Sequence, residues 1–203
     1  MTRWQEIARR GVGPDYARTY AEQFRRMAAG GQDIHGEAAF VTGLVPSPAR
    51  VLDAGCGTGR IAVRLDELGY DVVGIDVDPP MLEVARAEAP GLDWRLADLA
   101  TVDLGTTFDV VVLAGNIWPL LEPGTVAAVA ERLAAHVAPG GRLVSGFGLD
   151  AAHLPKGCPV TELAEVDAAL LGVGLRSVER FAGWDRAPYR GDEGYVVAVH
   201  GRG

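Results

Sequence analysis

Apolar positions along the chain recur in two ways: as short unbroken runs that read as buried strands, and at i, i+3 and i+4 as one face of a helix. The run at 50–54 is a short buried strand, and Ile61, Leu65 and Leu68 then follow at helical spacing until Gly69 stops them. DVVGID at 71–76 predicts a second strand. Asp78 predicts a helix cap with Pro79 at the first helical position, and that helix ends before Pro90. LDWRL at 92–96 and FDVVVLAG at 108–115 are further strands, the second apolar enough to be buried on both faces of a parallel sheet. Val126, Val129, Leu133 and Val137 mark a helix closed by Pro139-Gly140-Gly141, and RLVSGFG at 142–148 is the strand after it. A helix over roughly 162–171 follows, then strand-like runs over about 175–182 and 194–200, joined by a turn-rich stretch with Gly183, Pro188 and Gly191 and expected to pair as an antiparallel hairpin. Repeated strand–helix units imply an α/β fold with a mostly parallel, doubly wound sheet, right-handed crossovers and helices on both faces.

The residues before the first strand are not needed for the sheet. Within 14–30, Tyr16, Tyr20, Phe24 and Met27 form one stripe down a helix, and Phe40, Val41 and Leu44 mark a second. The expected division is an N-terminal helical extension at 1–47 and a main domain at 48–203.

Composition narrows the partners. A chain of 203 residues with 48% hydrophobic content suits one α/β domain. Its 19 basic and 27 acidic residues leave a formal charge of −8, with no basic run to track phosphates, so nucleic acid is not an expected partner. The start MTRWQEIARR lacks the apolar core of a signal peptide, and no apolar stretch approaches the ~20 residues a membrane span needs. A cytoplasmic protein is expected. Cys56 and Cys158 form no CxxC, and with His35, His136, His153 and His200 scattered, neither a disulfide nor a metal site is expected. His136 is placed at the exposed end of a helix and His200 in the last strand, both as structural residues.

The chemistry concentrates in VLDAGCGTGR at 51–60. Gly55, Gly57 and Gly59 let a ligand lie against bare backbone at the carboxyl end of a strand, where such sheets bind their ligands. A dinucleotide loop would need a glycine at 60 for close helix packing, and the residue there is Arg60. Asp53 would repel a pyrophosphate and attract a cofactor bearing an ammonium and a sulfonium, which favours S-adenosylmethionine. A strand-end aspartate that simply caps the next helix is the plainer alternative.

These residues resemble the class I S-adenosylmethionine-dependent methyltransferases, closely over roughly 50–148 and weakly elsewhere. The resemblance implies a seven-stranded Rossmann-like sheet with Asp53, Gly55, Cys56, Gly57 and Gly59 around the cofactor. It implies Asp76, with Val77 beside it, on the ribose hydroxyls, and Asp98 with Leu99 at the adenine. Ala114, Gly115 and Asn116 would run along the methionine moiety. The implied chemistry is direct displacement at the methyl carbon, in which alignment and desolvation matter more than any fixed catalytic residue. AGNIWPLL lacks the Pro-Pro-aromatic tetrapeptide of nucleic-acid amino methyltransferases, which points to a small-molecule acceptor. Trp118, Phe147, His153, Trp184 and Tyr189 lie where the family gathers its acceptor, with His153 the candidate base. The extension either packs as core or folds over the cleft as a lid, with Tyr16 and Tyr20 facing cofactor and acceptor. A nicotinamide-dependent oxidoreductase, and a protein that binds S-adenosylmethionine without turnover, are the competing classes.

Overall fold

A computed structural model describes residues 3–203, apart from the side chains at positions 10 to 12; Met1 and Thr2, which open the expected extension and the MTRWQEIARR segment, lie outside the described residues. Three helices come first: α1 (Arg3–Val12), α2 (Tyr16–Ala29) and α3 (Gly36–Thr42). Alternation then begins with β1 (Arg50–Ala54), α4 (Arg60–Glu67), β2 (Asp71–Asp76), α5 (Pro79–Glu88), β3 (Asp93–Leu96) and β4 (Phe108–Leu113). After it come α6 (Ile117–Leu120), α7 (Val126–His136), β5 (Val137–Gly148), α8 (Leu163–Gly172), β6 (Leu175–Phe181) and β7 (Tyr195–Arg202).

The seven strands form one sheet in the order β3-β2-β1-β4-β5-β7-β6. The first five are parallel, and β7 runs antiparallel to both β5 and β6. The expected doubly wound sheet with a C-terminal antiparallel hairpin is therefore the fold. Strand alternation splits the core across its faces. Leu52 and Ala54 of β1 join Val129 and Leu133 of α7 and Val166 and Leu170 of α8, whereas Val51 joins Phe40 of α3, Ile61 and Leu65 of α4 and Leu82 of α5. From β1 the chain winds outward through β2 and β3, then returns to lay β4 and β5 on the other side. The crevice between the carboxyl ends of β1 and β4 is thus the switch point of the sheet.

Three elements differ from the sequence reading. Helix α1 was not anticipated, because RWQEIARRGV is largely polar, and neither was the single turn of α6. Pro139-Gly140-Gly141 does not close a helix before the strand but bulges within β5. Phe108 pairs with Val137 and Val110 with Arg142, so one residue of β4 lies opposite four of β5. A Cβ on Gly141 would lie 2.9 Å from the Ala138 carbonyl oxygen and 3.0 Å from that of Asp109, so only glycine lets the bulge close. Because the strand starts directly after α7, His136 is 3% exposed rather than at an exposed helix end. Its Nδ1–H donates to the Arg132 carbonyl at 2.7 Å and its Nε2 accepts from the Leu104 amide at 2.9 Å, a structural tie between α7 and the loop before β4.

Candidate functional site

The loop leaving β1 is built by backbone conformation. Gly55 and Gly59 both have φ of +84°, which side-chain-bearing residues rarely adopt. Packing closes the same positions: a Cβ on Gly55 would come within 2.4 Å of Ile117, and one on Gly59 within 2.4 Å of Trp94. The Gly55 and Cys56 amides donate to the Ile75 carbonyl at 2.8 and 2.9 Å, lashing the loop to the end of β2.

Asp76, the last residue of β2, stands opposite this loop at 8% exposure. Its Oδ2 accepts from the Gly57 amide and its Oδ1 from the Asp78 amide, each at 2.8 Å. Burial still wins over these donors and pushes its pKa up to about 6. Asp53 is more enclosed, 1% exposed beneath the loop, with no hydrogen-bond partner on Oδ2 among the described residues. Burial pushes its pKa up to about 7 against the opposing pull of Arg60. Arg60 opens α4 and pairs with Glu37 of α3, with nitrogen–oxygen contacts of 2.6 and 2.8 Å. It also donates to the Ile34 carbonyl, and its guanidinium lies 4.5 Å from the Phe24 ring centroid.

These elements converge on a cleft at the switch point, about 1140 Å³ counting the space open to solvent. One wall is Gly55, Cys56, Gly57, Asp76 and Val77, continued by Asp98 and Leu99 after β3 and by Ala114 and Gly115 after β4. Asp98 is exposed, with Oδ1 accepting from the Ala100 amide at 2.9 Å. The lining also takes in Trp4 of α1, Tyr20 of α2, Arg60, Leu120, Leu121, Glu122 and Thr125, with Ile117 packed against Gly55 of the loop. Asp53, Gly59 and Asn116 do not line the cleft. Gly59 packs on Trp94 under the loop. Asn116, at φ +67°, accepts on Oδ1 from the Gly148 amide at 2.7 Å and so ties the loop after β4 to the end of β5.

The residues expected around the acceptor scatter, Tyr20 excepted. Trp118 and Phe147 are 1% and 0% exposed in the core, because both side chains turn under the sheet. The Tyr16 hydroxyl turns to the Asp78 carboxylate. Trp184 donates from Nε1 to the Tyr195 hydroxyl at 3.1 Å and packs edge-on against Phe40, beside a second groove that also contains Asp33 and Arg186. Tyr189 is half-buried against the core. His153 is exposed, its Nδ1 2.8 Å from Asp150 Oδ1, and does not line the cleft. Sequence reasoning missed Trp4, Ile117, Leu120 and Leu121. For Trp4 the available signal was its four-residue spacing to Ala8, the apolar side of α1. Among the described residues, no group of three or more His, Cys, Asp or Glu could hold a metal ion, and no helix is long and apolar enough to cross a membrane.

The residues present fit an adenosine-bearing cofactor. Asp76 is held rigidly by backbone donors and keeps acceptor capacity toward the cleft. Gly115, at φ +82°, presents bare backbone with nothing within 4 Å of where a Cβ would sit. An α/β sheet with a glycine loop and a strand-end carboxylate at its switch point defines a nucleotide-cofactor protein. Comparison with known proteins makes the class specific. Residues 51–141 match a family described as "Methyltransferase domain". A TehB-like SAM-dependent methyltransferase from Corynebacterium glutamicum has the same fold at a TM-score of 0.84 and 32% identity, covering 94% of this chain and 100% of that one. An amino pentose methyltransferase from Micromonospora echinaspora, solved with S-adenosylmethionine bound, matches at a TM-score of 0.71 and 25% identity over 91% of this chain and 97% of that one. A dTDP-3-amino-3,6-dideoxy-alpha-D-glucopyranose N,N-dimethyltransferase from Streptomyces fradiae is 34% identical over 140 residues, 66% of this chain and 55% of that protein. The chain spans about half the length of the curated relatives it matches. It belongs to the class I S-adenosylmethionine-dependent methyltransferases, whose cofactor is S-adenosylmethionine, and the oxidoreductase alternative finds no support.

Proposed function

We propose that the protein catalyses methyl transfer from S-adenosylmethionine to a small-molecule acceptor in the cytosol. The single observation that carries this reading is the convergence of the glycine loop, Asp76, Asp98 and Ala114-Gly115 on one cleft that Trp4, Tyr20, Ile117 and Leu120 also line. Asp76 accepts from the ribose hydroxyls, Asp98 and Leu99 bound the adenine, and the Ala114-Gly115 backbone runs beside the methionine portion. Asp53 lies behind the loop rather than in contact, and its buried carboxylate contributes field to the site. Bound S-adenosylmethionine supplies an electrophilic methyl group on a sulfonium. The chain supplies alignment and the exclusion of water, for which Trp4, Tyr20, Ile117 and Leu120 are suited.

No titratable base is required when the acceptor is a neutral amine, which loses its proton to solvent after transfer. Amino sugars are the acceptors to try first, a choice supported by the names of the Streptomyces and Micromonospora relatives. Helices α1 and α2 form the outer part of the cleft and act as its cover, since Trp4 and Tyr20 come from them. The test is incubation with S-adenosylmethionine carrying an isotopic methyl label and a panel of amino sugars, other amines, phenols and nucleic acids. Label in a small molecule supports the reading. Binding without transfer to any acceptor favours a non-catalytic role, and label in nucleic acid overturns the acceptor class.

A further inference from the structure

Asp78 occupies the N-cap position of α5, where an aspartate is expected to bond the first free amides of its own helix. It makes no such bond. Pro79 and Pro80 remove two of the available donors, and the fully buried carboxylate turns the other way. The Tyr16 hydroxyl of α2 lies 2.7 Å from its Oδ1 and 2.6 Å from its Oδ2, and Gln5 Nε2 donates to Oδ1 at 3.3 Å. Tyr16 is itself 2% exposed, packed with Ala17 against Met81 of α5 and edge-on to Trp4. The main chain of the same Asp78 donates to Asp76 Oδ1 at 2.8 Å, so residues 76–78 are pinned by the glycine loop at one end and by α2 at the other.

We infer that Tyr16 is a positioning residue for the cofactor site: its hydroxyl fixes Asp78, the Asp78 amide fixes the Asp76 carboxylate, and docking of α1 and α2 is thereby coupled to cofactor binding. The inference rests on the cofactor reading above. Tyr16 does not line the cleft, so it acts through Asp78 and not by contact. Burial and the neighbouring Asp78 carboxylate raise the Tyr16 pKa well above that of a free phenol, so the donor stays protonated at any working pH. The coupling is reciprocal, because whatever α2 contributes to cofactor affinity the cofactor must return as tighter docking of α2.

The experiment is a double-mutant cycle in the full chain, with Tyr16→Phe, Asp78→Ala and the double variant titrated with S-adenosylhomocysteine by calorimetry, and thermal melts run alongside. Each single variant should weaken binding five- to twentyfold, and the double no more than either, since both break one link. Trypsin supplies a second readout. S-adenosylhomocysteine should slow cleavage after Arg18 in the unaltered protein and lose most of that protection in Tyr16→Phe, which a merely structural tyrosine would not show. Asp78→Ala leaves no unpaired charge in the core, so it carries the test if Tyr16→Phe melts below assay temperature. Affinity within twofold in either single variant, or losses that multiply in the double, overturns the inference. An unaltered protein that fails to bind S-adenosylhomocysteine instead overturns the cofactor reading on which the inference rests.

Discussion

Removing the Asp76 side chain sets two effects against each other. In Asp76→Ala the ribose hydroxyls lose an ionised acceptor, and a hydrogen bond to a charged group is worth roughly 1.5–3 kcal/mol. One such bond predicts a loss of roughly ten- to hundredfold in affinity for S-adenosylhomocysteine. Stability responds differently. The amides of Gly57 and Asp78 lose their partner, a cost of about 1–3 kcal/mol for each amide that water cannot reach. Against this, a carboxylate whose pKa burial raises from 3.8 to about 6 destabilises the fold at neutral pH, and deletion relieves that term. The melting temperature should therefore move far less than the affinity. Calorimetry at pH 8 and differential scanning fluorimetry measure the two. A folded Asp76→Ala that binds S-adenosylhomocysteine within twofold of the unaltered protein would refute the placement of the ribose.

Affinity for S-adenosylhomocysteine should rise with pH, being weakest near pH 5 and levelling off above about pH 7.5, because the ribose hydroxyls favour ionised Asp76, which titrates at about 6 in the free protein. A flat profile from pH 5 to 8 would contradict it. With folded values of about 6 and about 7 against a reference of 3.8, Asp76 and Asp53 keep protons that the unfolded chain releases, so their contribution to stability falls as pH rises from about 4 to 7. Melting of the cofactor-free protein through that window, compared with Asp53→Asn, measures the part owed to Asp53: the variant should flatten the fall, and an unchanged slope would refute it. Gly59→Ala combines a φ of +84° with a Cβ 2.4 Å from Trp94, and should cost about 2–4 kcal/mol of unfolding free energy in urea. A change below 0.5 kcal/mol, on the order of that of an ordinary surface substitution, would show that the loop has another conformation.

The sheet was legible because its strands carry their own signals. DVVGID and FDVVVL are apolar runs bounded by turn residues, and their limits in the sequence lie within two residues of β2 and β4. That the glycine loop and the acids that end β2 and follow β3 would meet at one cleft was legible for the same local reason, since they are set by backbone conformation and position along the strand. What surrounds the acceptor was not. Whether Trp118 and Phe147 face a cleft or a core depends on which side of a strand end each side chain leaves, and both turned inward. Trp4 could be placed only once α1 was known to bring it to the cleft, and the polar sequence of α1 hides its narrow apolar side. The Asp78 case is instructive, since sequence puts it rightly at the helix start but cannot foresee that Tyr16, 62 positions away, would claim its carboxylate.

Calorimetric titration of the full chain with S-adenosylhomocysteine and, separately, with NADH tests the central claim most directly. The account predicts one site that takes S-adenosylhomocysteine with micromolar or tighter affinity, shows no heat with NADH and is lost with Asp76. Binding of NADH without S-adenosylhomocysteine would contradict it.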